Sequence, residues 1–320
     1  VVYDWSNKKV MITGGNGFLG KAVVKKLKNR ECTEIFIPKK EKYDLTKETE
    51  VQKLFKENKN IDIIIHLAAD VGGIGYNRSN PGSVYYNNVM MNTLLMEYSR
   101  LNNVSKFIGI GSVCSYPKYT EIPFKEKNLW KGYPEETNAP YGLSKKMMLE
   151  QGKAYKEQYD FNAVHLLMIN LYGPEDNFDL ESSHVIPALI RKFVEAKENN
   201  KEKVIAWGDG SPTREFLYVD DAAEGILLAA EKYNKSEPVN LGSGMEISIK
   251  KLTEKIAAHV GFEGEIDWDI SKPNGQPRRC LDISKSRAEF DFEAKISFDE
   301  GLKRTIEWYK ENFINNTNEG

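Results

Sequence analysis

Cysteine and histidine are scarce in this chain, whose 320 residues include three of the first and four of the second. Cys32, Cys114 and Cys280 are odd in number and far apart, which argues against a disulfide framework and against a paired-cysteine metal site. The histidines stand apart from one another, so no bound metal is expected. Long apolar runs are also missing. The longest, around Ile61 to Val71, is interrupted by Asp62, His66 and Asp70 and is too short and polar to span a bilayer. The stretch Val1 to Lys9 carries Asp4, Asn7, Lys8 and Lys9 and has no apolar segment behind a basic start, so a cytoplasmic protein is expected. A formal net charge of −2 and a pI near 6.2 give no general attraction to nucleic acid or to an anionic membrane. Neither is expected as a partner, and any recognition of phosphate has to be local.

What remains is an ordinary globular composition, 40% hydrophobic and 29% charged, in a chain long enough for one large or two modest domains. Its first half alternates short β-rich runs with longer helical ones, the pattern of a parallel sheet covered by helices. Strands are expected at Lys9 to Thr13, Glu34 to Ile37, Asp62 to Leu67, Lys106 to Ile110 and Ala163 to Ile169. Helices are expected at Phe18 to Asn29, Val51 to Glu57, Val84 to Leu101 and Tyr141 to Tyr159. After Pro174 the rhythm changes. Helices at His184 to Glu198, Asp220 to Tyr233, Ile249 to Val260 and Asp299 to Phe313 accompany a strand at Val204 to Trp207, before a polar tail from Asn315 to Gly320 that should fray. The fold class is α/β: a Rossmann-type doubly wound parallel sheet with a smaller, interleaved C-terminal α/β domain. Residues 1–174 and 215–241 are assigned to the first part, and residues 175–214 and 242–320 to the second.

The strand Lys9 to Thr13 runs into Gly14-Gly15-Asn16-Gly17-Phe18-Leu19-Gly20 and then an amphipathic helix. Glycines at 14, 17 and 20 permit a sharp turn, a close approach of pyrophosphate to the backbone, and tight helix–strand packing. The helix N-terminus offers free N–H groups and partial positive charge to the phosphates. A dinucleotide cofactor is therefore expected on Gly14, Asn16, Gly17, Phe18, Leu19 and Gly20. Lys39 and Lys40 follow the second strand, where an acidic residue would grip a ribose 2′-hydroxyl, and they favour the 2′-phosphate of NADP(H) over NAD. Asp44 is placed to accept from the adenine amino group. Leu67, Ala68 and Ala69 follow the third strand and lie beside the cofactor, and Leu45 and Asn88 are expected at the same site. His66 reads as a strand-end histidine outside the chemistry.

The fourth strand leads to Gly111-Ser112, and Tyr141-Gly142-Leu143-Ser144-Lys145 opens a helix. Tyr141 and Lys145, four apart, share one helical face. A lysine ammonium near a phenol stabilises phenolate and draws its pKa down from about 10. Tyr141 would then exchange a proton with a carbonyl or alkoxide oxygen held by Ser112, while a nicotinamide exchanges hydride at carbon.

With His66-Leu67-Ala68-Ala69, Ser112-Val113-Cys114-Ser115-Tyr116-Pro117, Asn170-Leu171-Tyr172-Gly173-Pro174, Ser183-His184-Val185-Ile186-Pro187 and Arg214-Glu215-Phe216, these motifs resemble the extended short-chain dehydrogenase/reductases. Within them the sequence is most similar to the GDP-L-fucose synthases, from about Lys9 to about Tyr309. The resemblance implies an NADPH-dependent enzyme that epimerises C3 and C5 of GDP-4-keto-6-deoxy-D-mannose and reduces C4. It gives Cys114 the role of base and His184 that of acid in the epimerisation, and places Val185, Lys192, Trp207, Arg214 and Arg279 at the GDP-sugar; Asn170, ahead of Tyr172-Gly173-Pro174, is placed to hydrogen-bond the sugar or the cofactor. It implies a homodimer through the helices that begin near Val84 and Tyr141, the first of which is apolar nearly all round. Val113-Cys114 stands where the family's dehydratases carry Asp-Glu. Two other readings stay open: an epimerase-reductase or simple C4 reductase acting on another GDP-linked keto sugar such as a deoxyheptose, and a non-catalytic nucleotide-sugar-binding protein.

Overall fold

The computed structural model describes residues 3–272 and 274–314. Its first half runs β1 (Lys9–Thr13), α1 (Phe18–Lys28), β2 (Glu34–Phe36), α2 (Glu48–Glu57), β3 (Ile63–His66), α3 (Ile74–Ser79), α4 (Pro81–Leu101), β4 (Lys106–Ser112), α5 (Ala139–Tyr159), β5 (Ala163–Met168) and β6 (Asn170–Tyr172). The second half runs α6 (Val185–Glu198), β7 (Lys203–Trp207), β8 (Thr213–Tyr218), α7 (Val219–Lys232), β9 (Val239–Leu241), β10 (Glu246–Ser248), α8 (Ile249–Val260), β11 (Glu265–Asp269), β12 (Arg278–Arg279), α9 (Ser284–Phe290) and α10 (Phe298–Tyr309).

Six strands form one parallel sheet in the order β2-β1-β3-β4-β5-β9. Alternate residues point to opposite faces, and both faces are covered, so the strands are apolar throughout. Val10, Ile12, Ile63, Ile65 and Ile108 join the core under α1 and α7. Met11, Ile64 and Phe107 join the core under α2, α4 and α5. Strand order reverses between β1 and β3, and the carboxyl ends of these strands open the crevice where ligands of such sheets bind.

The second layer is smaller. β8 pairs with β10, β12 and β6, while β7 pairs with β11. Its core gathers Tyr172, Phe178, Ile190, Phe193, Phe216, Tyr218, Ile256, Leu302 and Tyr309. The proposed division of the chain needs adjusting at two places. Strand β8 faces both ways, with Leu217 in the first core and Phe216 and Tyr218 in the second, so a boundary between 214 and 215 cuts through a strand. Leu281, Phe290 and Phe292 pack into the first core because α9 lies against α7 and β9.

Other departures are local. Helix α4 is not buried all round, since Tyr85 and Tyr86 are exposed and its buried face includes Asn88, Asn92 and Ser99. Helix α3 and the short strands β9, β10 and β12 are too brief to show a period. The final helix stops at Tyr309 and passes into a wider turn, Lys310–Ile314. The expected fraying tail lies outside the described residues. Among the described residues no helix is long and apolar enough to cross a membrane.

Candidate active site

The β1–α1 turn has the geometry that a pyrophosphate requires. Gly14 has φ +71°, and a Cβ there would lie 2.9 Å from the Ala68 nitrogen. At Gly20 a methyl group would collide with the Gly14 carbonyl oxygen, so α1 packs against the loop only without a side chain. Gly17 caps α1 with no side-chain hydrogen bond and no acidic residue follows in the first turn, which leaves that end of the helix free for an anion. Asn16, Phe18 and Leu19 sit on this turn. Lys39, Lys40, Lys42, Asp44 and Lys47 surround an open depression beyond β2. Asp44 is partly engaged: its Oδ1 accepts from the Thr46 amide at 3.0 Å and the Thr46 hydroxyl at 2.7 Å. Leu45 is buried beneath it. This donor set fits a dinucleotide with an additional phosphate.

The loop after β3 carries Leu67, Ala68 and Ala69, all half-buried. Asn88 supports this loop from below: its amide nitrogen donates to the carbonyls of Asp70 and Val84, at 2.8 and 2.7 Å, and its oxygen accepts from the Asp70 amide at 3.1 Å. With both ends engaged, Asn88 shapes the cofactor loop and is not free to touch a ligand, contrary to expectation. His66 is fully buried, with Nδ1 2.6 Å from the Thr13 hydroxyl and Nε2 2.9 Å from Asn92 Oδ1. Burial, with the nearby Lys145 charge, lowers its pKa to about 3, so the ring stays neutral.

Strand β4 delivers Ser112, and one turn of 3-10 helix, Val113–Ser115, follows it. The Ser112 hydroxyl accepts from the Cys114 amide at 3.1 Å. Helix α5 is pressed onto this turn. The Ser115 hydroxyl donates to the Gly142 carbonyl at 3.0 Å, and a Cβ on Gly142 would lie 2.9 Å from the Cys114 carbonyl carbon. The close approach puts Tyr141 beside Cys114, and Lys145 Nζ lies 5.7 Å from the centroid of the Tyr141 ring.

The expected electrostatics of this pair need correction. Burial, reinforced by the neighbouring Cys114, pushes the Tyr141 phenol above its ordinary value. Lys145 faces the ring, and it is the lysine that gives way: burial lowers its pKa to about 8. Tyr141 is thus held as a proton donor.

On the far side of the cleft, Arg279 Nη1 donates to Cys114 Sγ at 3.6 Å. Arg214 is deeply enclosed, and burial together with the Arg279 charge lowers its pKa to about 10, still protonated at neutral pH. Its Nη1 donates to the Thr213 carbonyl at 2.7 Å. Lys192 Nζ lies 5.5 Å and Lys272 Nζ 5.4 Å from the exposed indole of Trp207. Lys192 also donates to the Ile205 carbonyl at 3.1 Å. Asn170 is half-buried and donates to the Glu215 carbonyl at 3.0 Å. His184 caps α6 ahead of the half-buried Val185; it stays open to solvent, yet enough protein surrounds it that burial lowers its pKa.

The site has supports that motif reading misses. Asn92 accepts from His66 Nε2 through its Oδ1 and donates to the Ser144 carbonyl at 3.3 Å, joining the end of β3 to the turn that carries Tyr141. Asn88 and Asn92, four apart on an otherwise apolar helix face, are the signal that could have found it. Glu215, fully buried, accepts from the amides of Gly244 and Leu281 at 2.8 and 2.7 Å and so anchors the chain just beyond Arg279.

The sequence pattern of the NAD dependent epimerase/dehydratase family matches residues 10–242. GDP-L-fucose synthase 1 of Arabidopsis thaliana is 38% identical over 307 residues, covering 96% of this chain and 94% of that protein. Among solved structures, a GDP-6-OMe-4-keto-L-xylo-heptose reductase from C. jejuni superposes with a TM-score of 0.90 at 30% identity, covering 96% of this chain and 98% of the other. A GDP-L-fucose synthetase from Naegleria fowleri bound to NADP superposes with a TM-score of 0.85 at 29% identity, covering 96% and 95%.

Proposed function

The chain belongs to the NAD-dependent epimerase/dehydratase family, and from that premise we propose that it converts GDP-4-keto-6-deoxy-D-mannose into GDP-L-fucose with NADPH. The observation that carries this reading is the meeting of Cys114 with Tyr141 on one side and Arg279 on the other. A reductase needs only Ser112, Tyr141 and Lys145. A sulfur beside the same phenol adds a group able to take a proton from carbon.

The chemistry follows from the 4-keto group, which acidifies the protons at C3 and C5 because the carbanion delocalises into an enolate. Cys114 as thiolate takes such a proton, the electron pair moves onto the C4 oxygen, and Ser112 and Tyr141 donate hydrogen bonds to that oxygen. His184 returns a proton to carbon on the opposite face. Arg214, Arg279 and Lys192 hold the diphosphate, Arg279 through the N–H groups not given to Gln276 and Cys114, while Trp207, Asn170 and Val185 border the nucleotide sugar. Gly14 to Gly20, Lys39, Lys40, Asp44 and Lys145 hold NADPH, which when bound supplies hydride to C4. Tyr141 then gives its proton to the C4 oxygen, consistent with a phenol whose proton is held by burial.

The test is turnover of GDP-4-keto-6-deoxy-D-mannose with NADPH and NMR identification of the product. GDP-L-fucose supports the proposal. A 6-deoxyhexose reduced at C4 with C3 and C5 unchanged would leave a simple reductase. A second reading, reduction of a GDP-linked 4-keto heptose, is favoured by the superposition on the C. jejuni heptose reductase, and turnover of that sugar in place of the hexose would establish it.

The three cysteines are all free, as suits a reducing cytoplasm. We also infer a homodimer through α4 and α5, which pack together and leave Tyr85, Tyr86 and Met147 exposed. Light scattering at micromolar concentration reads its mass directly.

A further inference from the structure

Gln276 lies on the segment between β11 and β12, where nothing in the motif pattern marks it, yet it is buried, with 8% of its surface exposed. Both ends of its amide are engaged. Nε2 donates to the Lys118 carbonyl at 2.8 Å, and Oε1 accepts from Arg279 Nε at 2.9 Å. Lys118 follows closely on the Ser112–Cys114 turn, so this one side chain ties the smaller layer to the chain that carries Cys114. Arg279, fixed at Nε, directs Nη1 to Cys114 Sγ. Arg214 and Glu135 are charged groups within electrostatic reach of Arg279, and both Tyr141 and Arg214 sense Cys114.

We infer that Gln276 is a positioning residue that holds the Arg279 guanidinium against Cys114, aiming an N–H at the sulfur that takes a proton from the sugar. A freely rotating arginine would be drawn to Glu135 or out to solvent, whereas a buried amide clamped at both ends leaves the guanidinium one orientation. A guanidinium N–H donating to sulfur stabilises the negative form over the neutral one. The other two cysteines show the contrast. Cys32 Sγ faces the Lys8 carbonyl and Cys280 Sγ the Leu281 carbonyl, whereas Cys114 Sγ faces a guanidinium.

The consequence for catalysis rests on the proposed epimerase reading, but the claim about the sulfur does not, and the experiment separates them. The intact protein is treated with iodoacetamide at neutral pH, labelling at Cys114 is followed by mass spectrometry, and deuterium exchange into GDP-4-keto-6-deoxy-D-mannose is measured in parallel. Gln276→Ala is expected to slow labelling and exchange by about tenfold, with NADPH affinity unchanged and the melting temperature lowered by the loss of two hydrogen bonds but the fold kept. Gln276→Glu keeps an acceptor for Arg279 and is expected to restore both rates to within about threefold of wild type. Wild-type labelling in Gln276→Ala, or a Gln276→Glu variant as slow as the alanine, overturns the inference. If wild type shows no exchange at all while labelling still falls in Gln276→Ala, the proposed reaction fails and the role of Gln276 stands.

Discussion

The first core is packed mainly from aliphatic side chains of a parallel sheet, whereas the second is packed around aromatic rings in contact, among them Tyr172, Phe216, Tyr218 and Phe298. Both layers bury groups that could carry charge: His66, Lys106, Lys145 and His165 beside the parallel sheet, and Glu215 on β8. These two materials suit two tasks. Hydride transfer tolerates little displacement of Tyr141, and that residue is set by strand ends, a buried histidine–asparagine link and a helix held tight at Gly142. In the proposed reaction the nucleotide sugar would be gripped from strand ends and loops, where Trp207 is 59% exposed and the guanidinium groups of Arg214 and Arg279 come from adjacent strands, β8 and β12. The two layers meet at the contact of Arg279 with Cys114.

The largest expected effect comes from removing the one proton donor that the first core holds. Tyr141→Phe should lower the rate of C4 reduction by on the order of 10²-fold or more, because the alkoxide loses its acid. Exchange at C3 and C5 should persist to within about fivefold, since Cys114 and His184 are untouched. Loss of both activities together would mean that the two chemistries are not separable.

Next in size is a strike at the joint between Tyr141 and Cys114. Gly142→Ala drives a methyl into the Cys114 carbonyl and to within 3.3 Å of the Ser115 Cα. Overpacking of this kind costs about 1–3 kcal/mol, so the melting temperature should fall and both activities should fall with it. Gly82→Ala is the matched control, because nothing lies within 4 Å of its Cβ. It should leave stability at or above wild type by differential scanning fluorimetry.

A comparable effect probes the first core by pH. In the folded chain His66 titrates near pH 3, against 6.5 for the free group. Between those values the unfolded chain binds a proton that the folded chain does not, so stability falls as pH drops from 6.5 toward 3. His66 contributes at most about 1.4 kcal/mol per pH unit to that slope. Burial lowers His165, in the same sheet, to about 4, and it adds to the loss. Urea midpoints measured from pH 7 to pH 4 should decline in the wild type and decline less steeply in His66→Gln. An unchanged slope would remove His66 from the account.

The same contrast explains what was legible in the sequence. The parallel sheet could be read because its strands are short apolar runs alternating with longer helical ones, and Ser112, Tyr141 and Lys145 could be read because strand end and helix start are local features. The smaller layer could not be divided correctly, because β8 shares its residues between two cores and α9 returns to the first one. Asn88 seemed a cofactor contact by position, but its amide is spent on the Asp70 loop. Tyr141 seemed destined for a lowered pKa by its spacing from Lys145, yet spacing does not report burial, and burial dominates. Gln276 carries no motif, since its meaning lies in two partners far apart in sequence.

The central claim is that one cleft performs proton exchange through Cys114 and reduction through Tyr141. Its most direct test is mass and NMR analysis of GDP-4-keto-6-deoxy-D-mannose incubated with the protein in heavy water before NADPH is added. The account predicts deuterium at both C3 and C5 with wild type and with Tyr141→Phe, and none with Cys114→Ser, although Cys114→Ser still binds NADPH. Exchange at the wild-type rate in Cys114→Ser, or C4 reduction by the wild type with no deuterium at either carbon, would contradict it.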